Sequence, residues 1–389
     1  MIYYKEGGIV VRHGKMETEL VDCPDNHFDS CVTDPPYGLK FMGKKWDYDV
    51  PSVDQWKEVY RVMKPGAFLL SFGGTRTYHR MVVNIEDAGF EIRDMIQWIY
   101  GSGFPKSLNI GKAVDKLQGN ERERILVPTK TGNSIRRGEG EQGSTYGDAH
   151  GGFTDIGKGT SEWEGWGTAL KPANEPICLA RKPLSEKTVA LNVLKWGTGG
   201  INVDGCRVGM SNDDIDMLEA KSSKSPTGKK AENVPFVEGV ASRPNLQGRF
   251  PANVIHDGSE EVVGLFPGTK SPATYLRSSA AHGNIDWNPK DAGTEQIGFG
   301  DSGSAARFFY CAKASKSERG QDNKHPTVKP LKLMTYLCRL VTPPEGKILD
   351  PFLGSGTTAL AGRAEGYRFV GIENDIEACL TAKKRLEIK

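Results

Sequence analysis

The chain has 389 residues, a formal net charge of +2, and 47 Gly and 22 Pro. Its length exceeds the ~100–200 residues of one usual domain, so a large core and a second module are expected. The near-neutral balance excludes a polycationic nucleic-acid coat, so any such footprint must come from local clusters.

In chain order, Ile9 to Arg12 and Phe28 to Thr33 read as short strands, the second ending at Asp34-Pro35-Pro36-Tyr37. Val53 to Met63 has helical spacing, and Lys64-Pro65-Gly66 stops it and feeds the apolar run Ala67 to Phe72, a buried parallel strand. His79 to Ala88 reads as a helix closed by Gly89, and Ile92 to Tyr100 as a strand. Between about 101 and 324 the alternation breaks into Gly-rich loops and short strands, with Ile177 to Ala180 as one more sheet strand. The alternation then returns. Leu331 to Val341 is an amphipathic helix, Lys347 to Leu349 a strand, Thr357 to Glu365 a helix, Tyr367 to Ile372 a strand and Ile376 to Leu386 a closing helix. Strands and helices at this spacing predict an α/β fold, a parallel sheet with helices on both faces.

Gly354-Ser355-Gly356-Thr357-Thr358-Ala359 fits the G-x-G-x-x-G/A pattern between a strand and a helix. Glycines there let a backbone approach a ligand, and helix N–H groups point at it. By itself such a turn can be purely structural. Glu373, about 20 residues further on at the end of the next strand, can accept hydrogen bonds from ribose hydroxyls. A nucleoside-containing cofactor follows, and without G-x-x-x-x-G-K-[ST] a P-loop phosphate site does not.

Asp34 to Tyr37 offers two acceptors, the Asp34 carboxylate and the Pro35 carbonyl, able to converge on an NH₂ group beside the flat face of Tyr37. An adenine amine is a poor nucleophile because its lone pair is delocalised, and acceptors on its hydrogens restore nucleophilicity as the nitrogen becomes tetrahedral. The bland alternative is a proline-stiffened turn with a capping aspartate. Basic clusters occur at Lys221, Lys224, Lys229 and Lys230, and across 301–332, where Arg307, Lys313, Lys316, Arg319, Lys324, Lys329 and Lys332 face Asp301, Glu318 and Asp322 among Phe308, Phe309 and Tyr310. The seven cysteines form no C-x-x-C pair and do not cluster with the seven histidines, so no metal site or disulfide framework is expected. With no signal-peptide apolar region and no run near the ~18 apolar residues of a membrane span, a membrane-free protein of a reducing cytoplasm is expected.

The paired motifs resemble those of the DNA amino-methyltransferases, the N6-adenine/N4-cytosine DNA methylases, in which DPPY holds the target amine and F-x-G-x-G holds S-adenosylmethionine. The resemblance covers roughly 1–100 and 325–389, and includes His325-Pro326-Thr327-Val328-Lys329-Pro330. It implies that Asp34, Pro35, Pro36 and Tyr37 are catalytic. It also implies that Asp350, Phe352, Gly354, Ser355, Gly356, Thr357, Glu373, Thr327 and Lys329 bind S-adenosyl-L-methionine, with Asp350 orienting the glycine loop and Phe352 against the cofactor. The catalytic motif precedes the cofactor motif, as in the β subgroup, a circularly permuted Rossmann-like methyltransferase sheet. Ile9 to Arg12 then becomes its third strand, and the two chain ends become neighbours. Where many relatives have Gly-Asp after that strand, this chain has Gly14-Lys15, so Lys15 is left out of the site. Segments Gly101 to Ser107, Arg249 to Asn253 and Ala305 to Lys313 resemble phage and prophage members.

On this resemblance the expected parts are a catalytic half at 1–182 with a Gly-rich loop at 103–172, a DNA target-recognition region at 183–324, and a cofactor half at 325–389. The expected activity is methyl transfer to N6 of adenine in double-stranded DNA by base flipping and direct in-line attack, because the family's adenine enzymes mostly carry Asp where its cytosine enzymes carry Ser. N4-cytosine methylation is the alternative. A Rossmann oxidoreductase and a silent DNA-binding relative are weaker ones, and a homodimer is a further expectation from the family.

Overall fold

The computed structural model describes residues 1–39, 48–103, 107–123, 125–128, 153–155, 157–210, 215, 247–270, 274–276, 295–297, 302–313 and 328–388. The strands in chain order are β1 (Ile2–Glu6), β2 (Ile9–His13), β3 (Phe28–Thr33), β4 (Met63–Phe72), β5 (Glu91–Ile99), β6 (Leu126–Pro128), β7 (Phe153–Asp155), β8 (Asn174–Arg181), β9 (Val254–His256), β10 (Gly268–Lys270), β11 (Thr274–Leu276), β12 (Glu295–Ile297), β13 (Ser302–Ser304), β14 (Tyr310–Cys311), β15 (Lys347–Asp350) and β16 (Arg368–Glu373). Ten of them form one sheet in the order β1-β2-β16-β15-β3-β4-β8-β5-β9-β14.

Most neighbours in that sheet run parallel, but β1 is antiparallel to β2, and β8 is antiparallel to both β4 and β5. The sheet is therefore mixed rather than wholly parallel. β8 returns beside β5 with Ile99 opposite Asn174 and so runs against its neighbours. β2 pairs in parallel with β16, Val10 opposite Val370, which joins the two ends of the chain. Counted from β15 through the termini, the strands β15, β16, β2, β3 and β4 stand in the doubly wound order 3-2-1-4-5. The permuted α/β sheet expected from the motif order is the one observed.

Alternating side chains fill the two faces of the sheet. Val32, Leu70 and Ile348 join the apolar cluster under the helices Leu331–Val341, Thr357–Ala364 and Ile376–Glu387. Cys31, Leu69 and Leu349 join the opposite cluster, with Trp56, Val59, Met81 and Ile85 from the helices Val53–Val62 and Tyr78–Asp87. Because both faces are covered, β3 is buried at every position, and its polar side chains are partnered there: Asp29 by Lys64, Ser30 by Thr342 and Thr33 by Asp350. Each fully buried Leu69 or Phe72 contributes about 1.5–3 kcal/mol relative to exposure.

Helix Val53–Val62 starts at a capping box, in which Ser52 Oγ accepts from Gln55 N–H and Gln55 Oε1 accepts from Ser52 N–H. It ends at Val62, and β4 begins at Met63, so the strand runs through Lys64-Pro65-Gly66 instead of starting after it. Gly66, at φ +82°, makes this possible: a Cβ there would lie 2.4 Å from Asn192 Nδ2.

The chain divides into two compact units, residues 1–101 with 174–389, and residues 102–173. The second contains helix Ile110–Gln118 and the antiparallel pair β6-β7, and Arg122 there pairs with Glu164 at 2.8 Å and with the buried Asp115. In the first unit, β9 and β14 extend the main sheet, so the stretch expected to read DNA also supplies scaffold.

Candidate active site

In a doubly wound sheet, ligands bind beyond the carboxyl ends of the strands where the order reverses, here between β15 and β3. Both motifs leave the sheet at that point. Ile348 and Leu349 of β15 pair with Ser30 and Cys31 of β3, and Asp34 and Asp350 follow at the two strand ends. Thr33 Oγ1 donates to Asp350 Oδ1 at 2.6 Å, linking the residue before Asp34 to the first residue of the glycine loop. Asp350 also accepts from Phe352 N–H at 3.1 Å, which shapes the start of that loop. Burial pushes the Asp350 carboxyl up to about 7 against the lowering effect of these hydrogen bonds and one from Thr358, and the nearby Asp34 raises it further.

The loop supports the cofactor expectation by its chemistry. Gly354 and Gly356 have φ of +55° and +84°, a left-handed backbone that Gly adopts without a Cβ penalty. Helix Thr357–Ala364 begins immediately after. Glu373 at the end of β16 accepts from Gly354 N–H at 2.7 Å through Oε2 and from Asp375 N–H at 2.8 Å through Oε1. The carboxylate keeps acceptor capacity for a ribose hydroxyl, so the residues present fit a nucleoside. Burial raises the Glu373 pKa, and the backbone N–H bonds oppose that shift. Ser355 Oγ and Thr357 Oγ1 both accept from Arg385, at 3.1 and 3.0 Å, which fastens the loop to the last helix. The Phe352 ring stands edge-on to Trp56, centroids 6.2 Å apart.

At the other motif, Pro35 is buried and Tyr37 folds back so that its hydroxyl donates to Asp34 Oδ1 at 2.7 Å. Tyr37 is seated by the loop after β4: Thr77 Oγ1 donates to Tyr37 O at 2.6 Å, and a Cβ on Gly74 would come within 3.2 Å of the Tyr37 side chain. Lys329, expected along the cofactor, has its Nζ 2.6 Å from Asp34 Oδ2, 3.1 Å from the Tyr37 hydroxyl and 3.2 Å from Glu175 Oε2. Its side chain is 6% exposed. Burial disfavours the ammonium, but Asp34 and Glu175 more than reverse this and raise its pKa. Tyr37 is held well above the usual phenol range, first by burial and then by Asp34 and Glu175.

Two residues of this cluster were not singled out in the sequence. Glu175, on β8, bonds Lys329 and Tyr37, and Tyr100, just past β5, has its pKa pushed up to about 12 by burial and by Glu175, with which it hydrogen-bonds. Only the pairing of β8 between β4 and β5 brings them to the site, and no local spacing announces that. Thr327 lies outside the described residues, as do His325, Pro326, Lys316, Arg319, Lys324 and the cluster Lys221, Lys224, Lys229 and Lys230. The segments beginning at Arg249 and Ala305 meet: the Phe308 ring lies 4.3 Å from the Arg307 guanidinium and 5.1 Å from that of Arg249.

Several known proteins are similar to this chain. The Type II methyltransferase M.HindIII of Haemophilus influenzae is 24% identical over 340 residues, covering 87% of this chain and 69% of that protein. M2.DpnII of Streptococcus pneumoniae is 36% identical over 87 residues, 22% of this chain and 32% of its own length. M2.MboI of Moraxella bovis is 44% identical over 62 residues, 16% of this chain and 23% of its own. The chain thus spans a third or less of the last two. Among solved structures, the PvuII DNA methyltransferase (cytosine-N4-specific) has a TM-score of 0.44 at 13% identity, covering 99% of this chain and 90% of that one. The M1.HpyAVI–SAM complex has a TM-score of 0.41 at 16% identity, covering 97% and 99%. The family model N6_N4_Mtase, DNA methylase, matches residues 28–384, and the chain therefore belongs to this family of S-adenosylmethionine-dependent DNA methyltransferases.

Proposed function

We propose that the chain methylates the exocyclic N6 of adenine within a specific sequence of double-stranded DNA. The observation that supports methyl transfer here is the Thr33 to Asp350 hydrogen bond, which ties the amine-holding loop to the cofactor loop across the β3–β15 switch point; the choice of adenine rests on Asp34 at the first position of its motif. When bound, S-adenosylmethionine supplies an electrophilic sulfonium methyl. Gly354, Ser355, Gly356 and Thr357 would hold it through backbone N–H groups, Phe352 would offer it an apolar face, and Glu373 would accept from its ribose.

Asp34 and the Pro35 carbonyl accept hydrogen bonds from the amine, with Pro36 fixing the turn, and Tyr37 offers a face to the base. The amine is buried in a duplex, so the base must be flipped, at a cost of a few kcal/mol. Stacking worth about 1–3 kcal/mol offsets much of it. With the cofactor bound, direct in-line transfer would move its methyl group to the nitrogen, the C–S electron pair staying on sulfur and the proton shed by the nitrogen passing to solvent. No covalent enzyme intermediate is required. Sequence readout is assigned to 183–324, and a deletion series there that left the methylated sequence unchanged would remove that assignment.

Nucleoside digestion of DNA incubated with the protein and labelled S-adenosylmethionine tests the base. Label in N6-methyldeoxyadenosine is expected. Label in N4-methyldeoxycytidine alone would establish the cytosine activity of the same family instead.

A further inference from the structure

The lysine beneath the base-side loop has a second counter-ion that the amine-holding reading does not use. Lys329 carries three N–H donors, and three acceptors face it: Asp34 Oδ2 at 2.6 Å, the Tyr37 hydroxyl at 3.1 Å and Glu175 Oε2 at 3.2 Å. The surrounding groups come from several elements: Asp34 and Tyr37 beyond β3, Glu175 on β8, Tyr100 beyond β5, and the Phe72 ring of β4, whose centroid lies 4.8 Å from Nζ. One ammonium therefore serves two carboxylates. The single Tyr37 hydroxyl proton faces the same choice, with Asp34 Oδ1 at 2.7 Å and Glu175 Oε2 at 3.3 Å.

Turnover makes that choice matter. Each Asp34 oxygen already accepts one bond, from Tyr37 and from Lys329, and turning its remaining lone pairs to the amine would lengthen both. Were Asp34 the sole counter-ion, freeing it would strand a buried ammonium, among the costliest events in a protein interior. Glu175 lies within bonding distance of both donors that Asp34 would release. We infer that Glu175 is a positioning residue that takes over Lys329 and the Tyr37 hydroxyl when Asp34 turns to the target amine. Glu175 touches none of the reacting atoms and acts through Lys329 and Tyr37. This inference rests on the amine-holding role of Asp34.

Single-turnover methylation of DNA over a pH series, with cofactor binding measured in parallel, tests it in the wild type, Glu175→Gln, Glu175→Asp, Lys329→Met and the Glu175→Gln/Lys329→Met double variant. Glu175→Gln is expected to slow methyl transfer about 10- to 100-fold, the share of a broken buried pair left when one counter-ion remains. Its cofactor affinity is expected to be unchanged. The alkaline limb of its rate profile is expected at lower pH, because the ammonium has lost one counter-ion. Glu175→Asp should recover part of the rate, and the double variant should be no slower than Lys329→Met alone. Wild-type rate and profile in Glu175→Gln, a loss equal at every pH, or additive losses in the double variant would each overturn the inference while leaving the methyltransferase reading intact. A wild type that transfers no methyl group to DNA would remove both.

Discussion

At the scale of single residues, the site is built on carboxylates in unlike settings. Asp350 is nearly sealed, and burial lifts it to about 7, above the ~3.9 of an unfolded aspartate. The folded chain thus binds this proton more tightly, so its contribution to stability is fully present below about pH 4 and is lost as pH rises to about 7. Asp350→Asn removes the titration. Its stability relative to wild type should rise by about 2–3 kcal/mol between pH 5 and pH 8, read by urea denaturation at each pH; a constant difference would contradict the account. Glu373 instead holds two backbone N–H groups at its loop. Glu373→Ala should weaken cofactor binding about 10- to 100-fold, one or two charge-assisted bonds, with a smaller effect on the chemical step. An unchanged dissociation constant would take Glu373 out of the site.

At the scale of elements, the glycine loop and its helix are held by close approach. A Cβ on Gly356 would meet Ala382 Cβ at 2.8 Å, at a φ of +84° that costs an L-residue about 1–2 kcal/mol. Gly356→Ala should lower the melting temperature and cofactor affinity together, and calorimetry showing neither change would refute this packing role. The sequence made this element legible because strand, glycines, helix and acidic strand end follow one another within a short stretch. The same held for Phe28–Thr33 and Leu331–Val341, whose bounds coincide with those expected from the sequence. Glu175 was illegible for the opposite reason: the pairing of β8 with β4 and β5 is long-range, and an isolated Asn-Glu-Pro carries no mark of a buried lysine partner. Lys329 was visible as a motif residue, but its bonds to Asp34 and Glu175 depend on that same packing.

At the scale of the whole molecule, the parallel pairing of β2 with β16 joins the chain ends and makes one crevice from motifs at opposite ends of the sequence. Motif order alone announced that permutation; the antiparallel β8 and the extension by β9 and β14 lay in stretches without periodic pattern. Residues 102–173 leave and re-enter the sheet at adjacent strands, Ile99 facing Asn174. Replacing 102–173 by a short Gly-containing turn should therefore leave the first unit folded and cofactor binding intact, checked by circular dichroism and calorimetry; loss of the fold would show the insertion to be structural. The most direct test of the central claim is methyl transfer to DNA by Asp34→Ala, with cofactor affinity measured on the same protein. Transfer should vanish while S-adenosylmethionine binds as in the wild type, and an Asp34→Ala variant that methylates at near-normal rates would contradict the assignment of Asp34 to the target amine.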